Sequence, residues 1–227
     1  GSPDNIFDAV FDLYKTASEL IDMQKHSGSH PRIGAVDVCP FIPYREISIN
    51  ECIKLTDDFS EKIANKLNIP VYSYEYSEKK GSYRHKLEQI RKGEYEKLPI
   101  KIKESGWEPD FGLPQFNSKS GATVIGVRDF LIAYNINLDS RDLKTASEIA
   151  SEIRESGNGK DKLQNIKAIG WYIEEFDCVQ ISTNITNFRE TPIHVLWERV
   201  EKLAKTKKIK LNGSELVGLI PLEAITE

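Results

Sequence analysis

Two histidines four residues apart, His26 and His30, stand in the segment His26-Ser27-Gly28-Ser29-His30-Pro31-Arg32. Histidine ordinarily titrates near pH 6.5, so it can take up and release a proton close to neutrality. On a helix this spacing would put both rings on one face, where they could hold zinc. Gly28 and Pro31 interrupt any helix there, and no nearby acid completes a ligand set, so proton transfer is favoured over metal. Arg32 and Asp37 are the nearest charged side chains. An arginine fork suits a carboxylate, and a carboxylate suits a cation. The alternative is that the two pair with each other or with the backbone.

A second stretch with chemical potential is Gly112-Leu113-Pro114-Gln115-Phe116-Asn117-Ser118-Lys119-Ser120-Gly121. It has neither a helical nor a strand period, and its Gly, Pro, Ser and Asn predict a long loop. Long loops inside compact proteins are usually functional or disordered, and Phe111 and Phe116 argue against plain disorder. An interdomain linker is the plainer reading. Gly157-Asn158-Gly159-Lys160 could cradle an anion or simply end a helix. Cys39, Cys52 and Cys178 form no CxxC pair and no zinc spacing, so they read as small buried hydrophobes in a reducing compartment.

The elements that must position these residues follow from periodicity. Ile6, Val10, Leu13, Ala17 and Leu20 predict an amphipathic helix over 4–23 with those residues on its buried face. An apolar run over 35–43 predicts a strand that ends in prolines. Ser48 and Glu51 have capping-box spacing and open a helix that reaches Leu67 and is ended by Pro70. A strand over 71–76 and a short helix over 86–95 follow. In the second half, 130–138, 166–173 and 178–185 read as strands, and 141–156 reads as a helix. Thr191 and Pro192 are expected as N-cap and N1 of a last helix running to about 207. The final strand is either 209–211 or 216–220. This β-α-β-β-α-β order is the ferredoxin-like split arrangement. The fold class expected is α/β (α+β), with two ferredoxin-like α/β sandwich subdomains, 1–126 and 127–227, the first incomplete and carrying the long loop at its end.

Composition sets the outer bounds. Hydrophobic residues make up 39% and charged residues 29% of the 227, enough for a sizeable core in an ordinary globular protein. A formal net charge of −4 with scattered basic residues argues against nucleic acid as the main partner. No apolar run approaches a membrane span, and no signal peptide is visible.

Seven collinear segments resemble the formiminotransferase family. They are 21–32 with its His-Pro-Arg, then Asp37-Val38-Cys39-Pro40-Phe41-Ile42-Pro43, Arg91-Lys92-Gly93-Glu94-Tyr95-Glu96, Trp107-Glu108-Pro109-Asp110-Phe111-Gly112, the strand 130–138, Ala168-Ile169-Gly170-Trp171-Tyr172, and 213–219. The resemblance implies a cytoplasmic, homodimeric enzyme of histidine breakdown that moves a formimino group from N-formiminoglutamate to tetrahydrofolate without a metal. By the same resemblance His30 is the catalytic acid–base and Gly112 to Gly121 form the folate-binding loop, where Phe116 could lie against an aromatic ring of the folate. For the dicarboxylate, amidine-bearing donor so implied, Arg32 and Asp37 are the candidate binding residues by charge. The family pattern begins with a strand and loop not found in this chain, which is therefore expected to be a fragment with an open sheet edge. Ser29 stands where the family has an acid, and Leu113 and Ser118 stand where prolines are common. A non-catalytic folate-binding or scaffold paralogue, or a formyl-transferring relative, are the alternatives.

Overall fold

The computed structural model describes residues 1–28, 31–79 and 86–226, and the chain divides into two compact units, Gly1–Arg128 and Asp129–Glu227.

The first unit opens with α1 (Pro3–Leu20). Phe7, Val10, Phe11 and Tyr14 make its packed face, whereas Leu13 and Leu20, expected to be buried, are 57% and 80% exposed. The face is turned by a tertiary contact: the buried Tyr14 hydroxyl meets Thr123 Oγ1 at 2.7 Å. The helix also ends earlier than expected. Ile21 is extended, and the Met23 N–H donates to the Lys119 carbonyl at 2.9 Å.

After β1 (Val38–Phe41) comes α2 (Ile49–Leu67), which starts on the expected capping box. Glu51 N–H donates to Ser48 Oγ at 3.2 Å, and Ser48 N–H donates to the Glu51 carboxylate at 2.9 Å. Asn68, in the left-handed region with φ 52°, ends it before Pro70 is reached. Next are β2 (Val71–Glu75), α3 (Leu87–Arg91) and α4 (Glu94–Lys101). One helix was expected over 86–95; Gly93, with φ 89°, splits it into two. Lys101 Nζ closes the carbonyl end of α3, donating to Ile90 O at 2.7 Å and Lys92 O at 2.9 Å, and lies 3.7 Å from the centre of the Trp107 ring.

The strand β3 (Thr123–Val127) has no counterpart in the sequence reading, yet it is the centre of a parallel sheet ordered β1-β3-β2. Ile125 and Val127 pack with Tyr14, Phe59 and Ile63 on one face, and Val124 packs with Tyr72, Tyr74, Ile90 and Leu98 on the other. A parallel strand covered on both sides reads as an unbroken apolar run without alternation. The units β1, α2 and β2 form a split β-α-β with β3 inserted. A ferredoxin-like unit would reach that middle strand by a hairpin and lay it antiparallel; here α3, α4 and a long loop bring it back parallel. At Gly126 a Cβ would sit 2.4 Å from the Tyr74 carbonyl oxygen, so only glycine fits.

The second unit runs β4 (Ile132–Leu138), α5 (Leu143–Ile153), β5 (Ile166–Ile173), β6 (Cys178–Ile185), α6 (Ile193–Thr206), β7 (Leu211–Val217) and α7 (Glu223–Thr226). Its antiparallel sheet, ordered β5-β6-β4-β7, is the expected ferredoxin-like topology. Ile132, Ile136, Leu138, Val179, Ile181 and Ile185 pack against Ile149, Ile153, Leu196 and Val200 of the two long helices. Pro192, not Thr191, is the N-cap of α6, because Thr191 Oγ1 is engaged with the Gln164 carbonyl at 2.7 Å. The glycines after α5 are tightly packed: a Cβ at Gly157 would fall 2.0 Å from the Ser151 carbonyl oxygen, and one at Gly159 would fall 2.3 Å from that of Glu152. Among the described residues no helix is long and apolar enough to cross a membrane.

Candidate functional site

Three stretches of the first unit converge: the segment around the two histidines, the start of α4, and the loop 112–121. The loop leads into β3, so it is an internal connection of the first unit's sheet. His30 lies outside the described residues. Its flanks are described, and backbone hydrogen bonds hold the downstream one from two sides. The Tyr95 N–H donates to Arg32 O at 2.9 Å, Ala35 N–H to Ser120 O at 2.9 Å, and Ala122 N–H to Ile33 O at 3.0 Å. Gly34 and Gly121 bridge directly; a Cβ at Gly121, where φ is 70°, would fall 2.1 Å from the Ile33 carbonyl oxygen.

Arg32 is not paired with Asp37. Its guanidinium donates to Glu94 at 2.9 Å, to the two oxygens of Glu96 at 3.0 and 2.6 Å, and to the His26 carbonyl at 3.2 Å. The hydrogen bond from Arg32 holds the Glu96 carboxyl below its usual range. Glu94 itself has φ 56°, a left-handed conformation uncommon outside glycine. Asp37 accepts the Ile33 N–H at 2.8 Å and forms an ion pair with Arg91. Both charges expected to meet the donor are therefore engaged in bracing the chain that carries the histidines.

The loop divides its residues between two tasks. Gly112, Leu113, Gln115, Phe116, Asn117 and Ser118 line a cavity of about 610 Å³, together with the C-terminal end of α2 and the residues leading into β2. That volume suits a small organic ligand. Lys119, Ser120 and Gly121 face the other way. Lys119 Nζ donates to the Glu19 carbonyl at 3.1 Å, and the other two join the 33–35 segment. Asn117 shapes the loop, donating to Asn68 O at 3.1 Å and accepting from Ser120 N–H at 2.9 Å. Pro114 is exposed.

Tyr95 joins loop and histidine segment. Its hydroxyl donates to Ser118 O at 2.5 Å, and its ring centre lies 5.4 Å from that of Phe116. Burial pushes its pKa up. Glu94, Tyr95, Glu96 and Arg91 were given no role from the sequence. The signal available was an acidic-aromatic-acidic triplet directly after a glycine. Among the described residues no group of three His, Cys, Asp or Glu is arranged to hold a metal ion. Cys52 and Cys178 are buried and Cys39 is half-buried, all as free thiols.

Two family models divide the chain between them. One described as "Formiminotransferase domain, N-terminal subdomain" matches residues 1–128, and one described as "Formiminotransferase domain" matches residues 133–227. A formimidoyltransferase-cyclodeaminase of Dictyostelium discoideum is 44% identical over 228 residues, covering 99% of this chain and 42% of that protein. A glutamate formimidoyltransferase of Streptococcus pyogenes serotype M1 is 38% identical over 227 residues, covering all of this chain and 75% of that protein. Another, from Thermoplasma acidophilum, is 40% identical over 222 residues, covering 97% and 72%. The chain thus spans 42% of the Dictyostelium discoideum relative and 75% of the Streptococcus pyogenes one.

Proposed function

The chain belongs to the formiminotransferase family, and on that premise we propose that it acts as a glutamate formimidoyltransferase. It moves the formimino group of N-formimino-L-glutamate to tetrahydrofolate and releases 5-formiminotetrahydrofolate and L-glutamate. The observation that carries this reading is the similarity, across nearly the whole chain, to proteins named glutamate formimidoyltransferase. The reading extends to a homodimer in the cytoplasm, serving histidine degradation, with tetrahydrofolate as acceptor and no metal.

In this reaction N5 of tetrahydrofolate attacks the formimino carbon, a tetrahedral adduct forms, and the bond from that carbon to the glutamate nitrogen breaks. The attacking nitrogen sheds a proton and the departing nitrogen gains one. His30 is the group assigned to carry it, since a single side chain that titrates near neutrality can serve both steps. The cavity under Gly112 to Ser118 is assigned to folate, with Phe116 available for contact with a flat ring. Arg32 and Asp37 are assigned to donor binding through the shape of the segment they brace, because their charges already have partners.

The test is His30→Gln assayed with N-formiminoglutamate and, separately, with N-formylglutamate. Turnover with the first donor should fall by about a hundred- to ten-thousandfold, while tetrahydrofolate binding persists. Near-normal turnover in the variant would remove His30 from the mechanism. Preference of the unaltered protein for the formyl donor would replace the formimidoyl reading with a formyl one. Tetrahydrofolate binding with neither donor turned over would favour a non-catalytic paralogue.

A further inference from the structure

The face of the second sheet opposite α5 and α6 carries an unusual set of side chains. Along the central strand β4, Ile132, Ile136 and Leu138 point into the core, while Asn135 and Asn137 alternate onto the other face. Asparagine is a poor strand former, so two of them in a central strand go against local preference. On β6, Gln180 joins this face and is completely buried, although glutamine is rarely so. Places where local preference and fold disagree are where function is expected.

These amides are wired in one direction. The Trp171 indole N–H donates to Gln180 Oε1 at 2.8 Å. Gln180 Nε2 then donates to Asn137 Oδ1 at 2.8 Å and to Glu215 Oε2 at 3.2 Å. Asn135 is fixed by accepting the Thr183 N–H at 3.2 Å, and its Nδ2 lies 3.4 Å from the same Glu215 oxygen. Two buried amides therefore converge on one oxygen of an exposed carboxylate on β7. Its other oxygen, Oε1, has no hydrogen-bond partner among the described residues, and no lysine or arginine among them pairs with Glu215. A carboxylate that needed only water would not require two oriented amides behind it. One that must present a free oxygen in a set direction would.

We propose that Glu215, oriented by Asn135 and Gln180, is a recognition site in which the free Oε1 accepts an N–H of an amidine- or guanidine-type group. This rests on the transferase reading above, because both proposed substrates carry that chemistry. The protonated formimino group is a cationic amidine, and the aminopyrimidinone edge of tetrahydrofolate presents an N–H beside an amino group. The free Oε1 can accept a charge-assisted N–H bond from such a group, while Oε2 stays held by the two amides.

The experiment is Glu215→Gln, which keeps the size and the acceptor for Asn135 and Gln180 while removing the charge. In one arm, initial rates are measured against N-formiminoglutamate; in the other, equilibrium binding of tetrahydrofolate is compared with an analogue lacking the 2-amino group. Loss of a hydrogen bond to a charged group predicts a weakening of about ten- to a hundredfold in one arm. A raised donor KM with folate binding intact assigns the amidine. Weakened folate binding, together with loss of discrimination against the analogue, assigns the pteridine edge. Unchanged values in both arms overturn the proposal. Should Glu215→Gln fail to fold, guanidinium is titrated into the unaltered protein, and the side-chain amide resonances of Asn135 and Gln180 are followed. Saturable shifts at those two groups support the site, and their absence rejects it. The same titration keeps the two readings apart, since a protein without transferase activity would still report whether Glu215 takes the probe.

Discussion

Replacing Arg32 by alanine separates a brace from a substrate fork. The guanidinium is 12% exposed and its partners Glu94 and Glu96 are 39% and 60% exposed, so solvent screens the ion pairs. Each such pair is worth about 0.2–1 kcal/mol, and the bond to the His26 carbonyl about 0.5–1.5 kcal/mol. Arg32→Ala should therefore cost roughly 1–3 kcal/mol. For a chain of this size the melting temperature falls by roughly 2–4 °C for each kcal/mol. Arg32→Lys should recover only part of this, because an ammonium cannot span both carboxylates and the carbonyl at once. The assay is a thermal melt of Arg32→Ala, Glu96→Gln and the double variant. The double should melt near the Arg32 variant, since Glu96→Gln removes a partner already lost. The pH dependence has a definite sign. The Glu96 pKa is lowered from 4.5 by the hydrogen bond from Arg32, so its contribution is whole above that value and disappears as pH falls through the lower folded value. The reasoning is refuted if Arg32→Ala melts with the unaltered protein at neutral pH and changes only the donor KM. Arg32 would then be a substrate fork after all.

Lys101→Met should keep the stem over Trp107 but strand the carbonyls of Ile90 and Lys92, costing about 1–3 kcal/mol in urea unfolding; an unchanged midpoint would show that water replaces the ammonium. Gly126→Ala would drive a methyl into Tyr74, with an expected loss of about 1–3 kcal/mol; its melting like the unaltered protein would mean that β2 and β3 can separate without cost. Burial raises the Cys39 thiol from 9.0 to about 11 and the Tyr74 phenol from 10.0 to about 12. Both groups ionise first in the unfolded chain, so stability is complete below pH 9 and declines as pH rises towards 11–12. A urea midpoint that stays flat across that interval would contradict it. Gly121→Ala, strained at φ 70° and crowding the Ile33 carbonyl, should loosen the loop and weaken tetrahydrofolate binding; calorimetry showing unaltered affinity would detach the loop from the folate site.

Where local chemistry determines an element, the sequence was sufficient. The capping box at Ser48 and Glu51 and the strands Ile166–Ile173 and Cys178–Ile185 depend on neighbours within a few positions, so their period and their caps are written in adjacent residues. The mixed α/β class and the β-α-β-β-α-β order of the second half follow from such elements in succession. The central strand Thr123–Val127 escaped because both of its faces are covered. Burial on both sides erases the alternation that marks a strand, and the glycine-rich loop before it makes the run look like more loop. The buried face of α1 departs from the expected stripe for a related reason. Tyr14 is held by Thr123, far along the chain, and that contact outweighs the helix's own apolar stripe. The site divides along the same line. The histidines, Arg32 and the loop are legible as residue types that can do chemistry. What Arg32 does with its charge is not legible, because Glu94 and Glu96 lie 62 and 64 positions away, and only the packing of α4 against the histidine segment brings those charges within hydrogen-bonding distance.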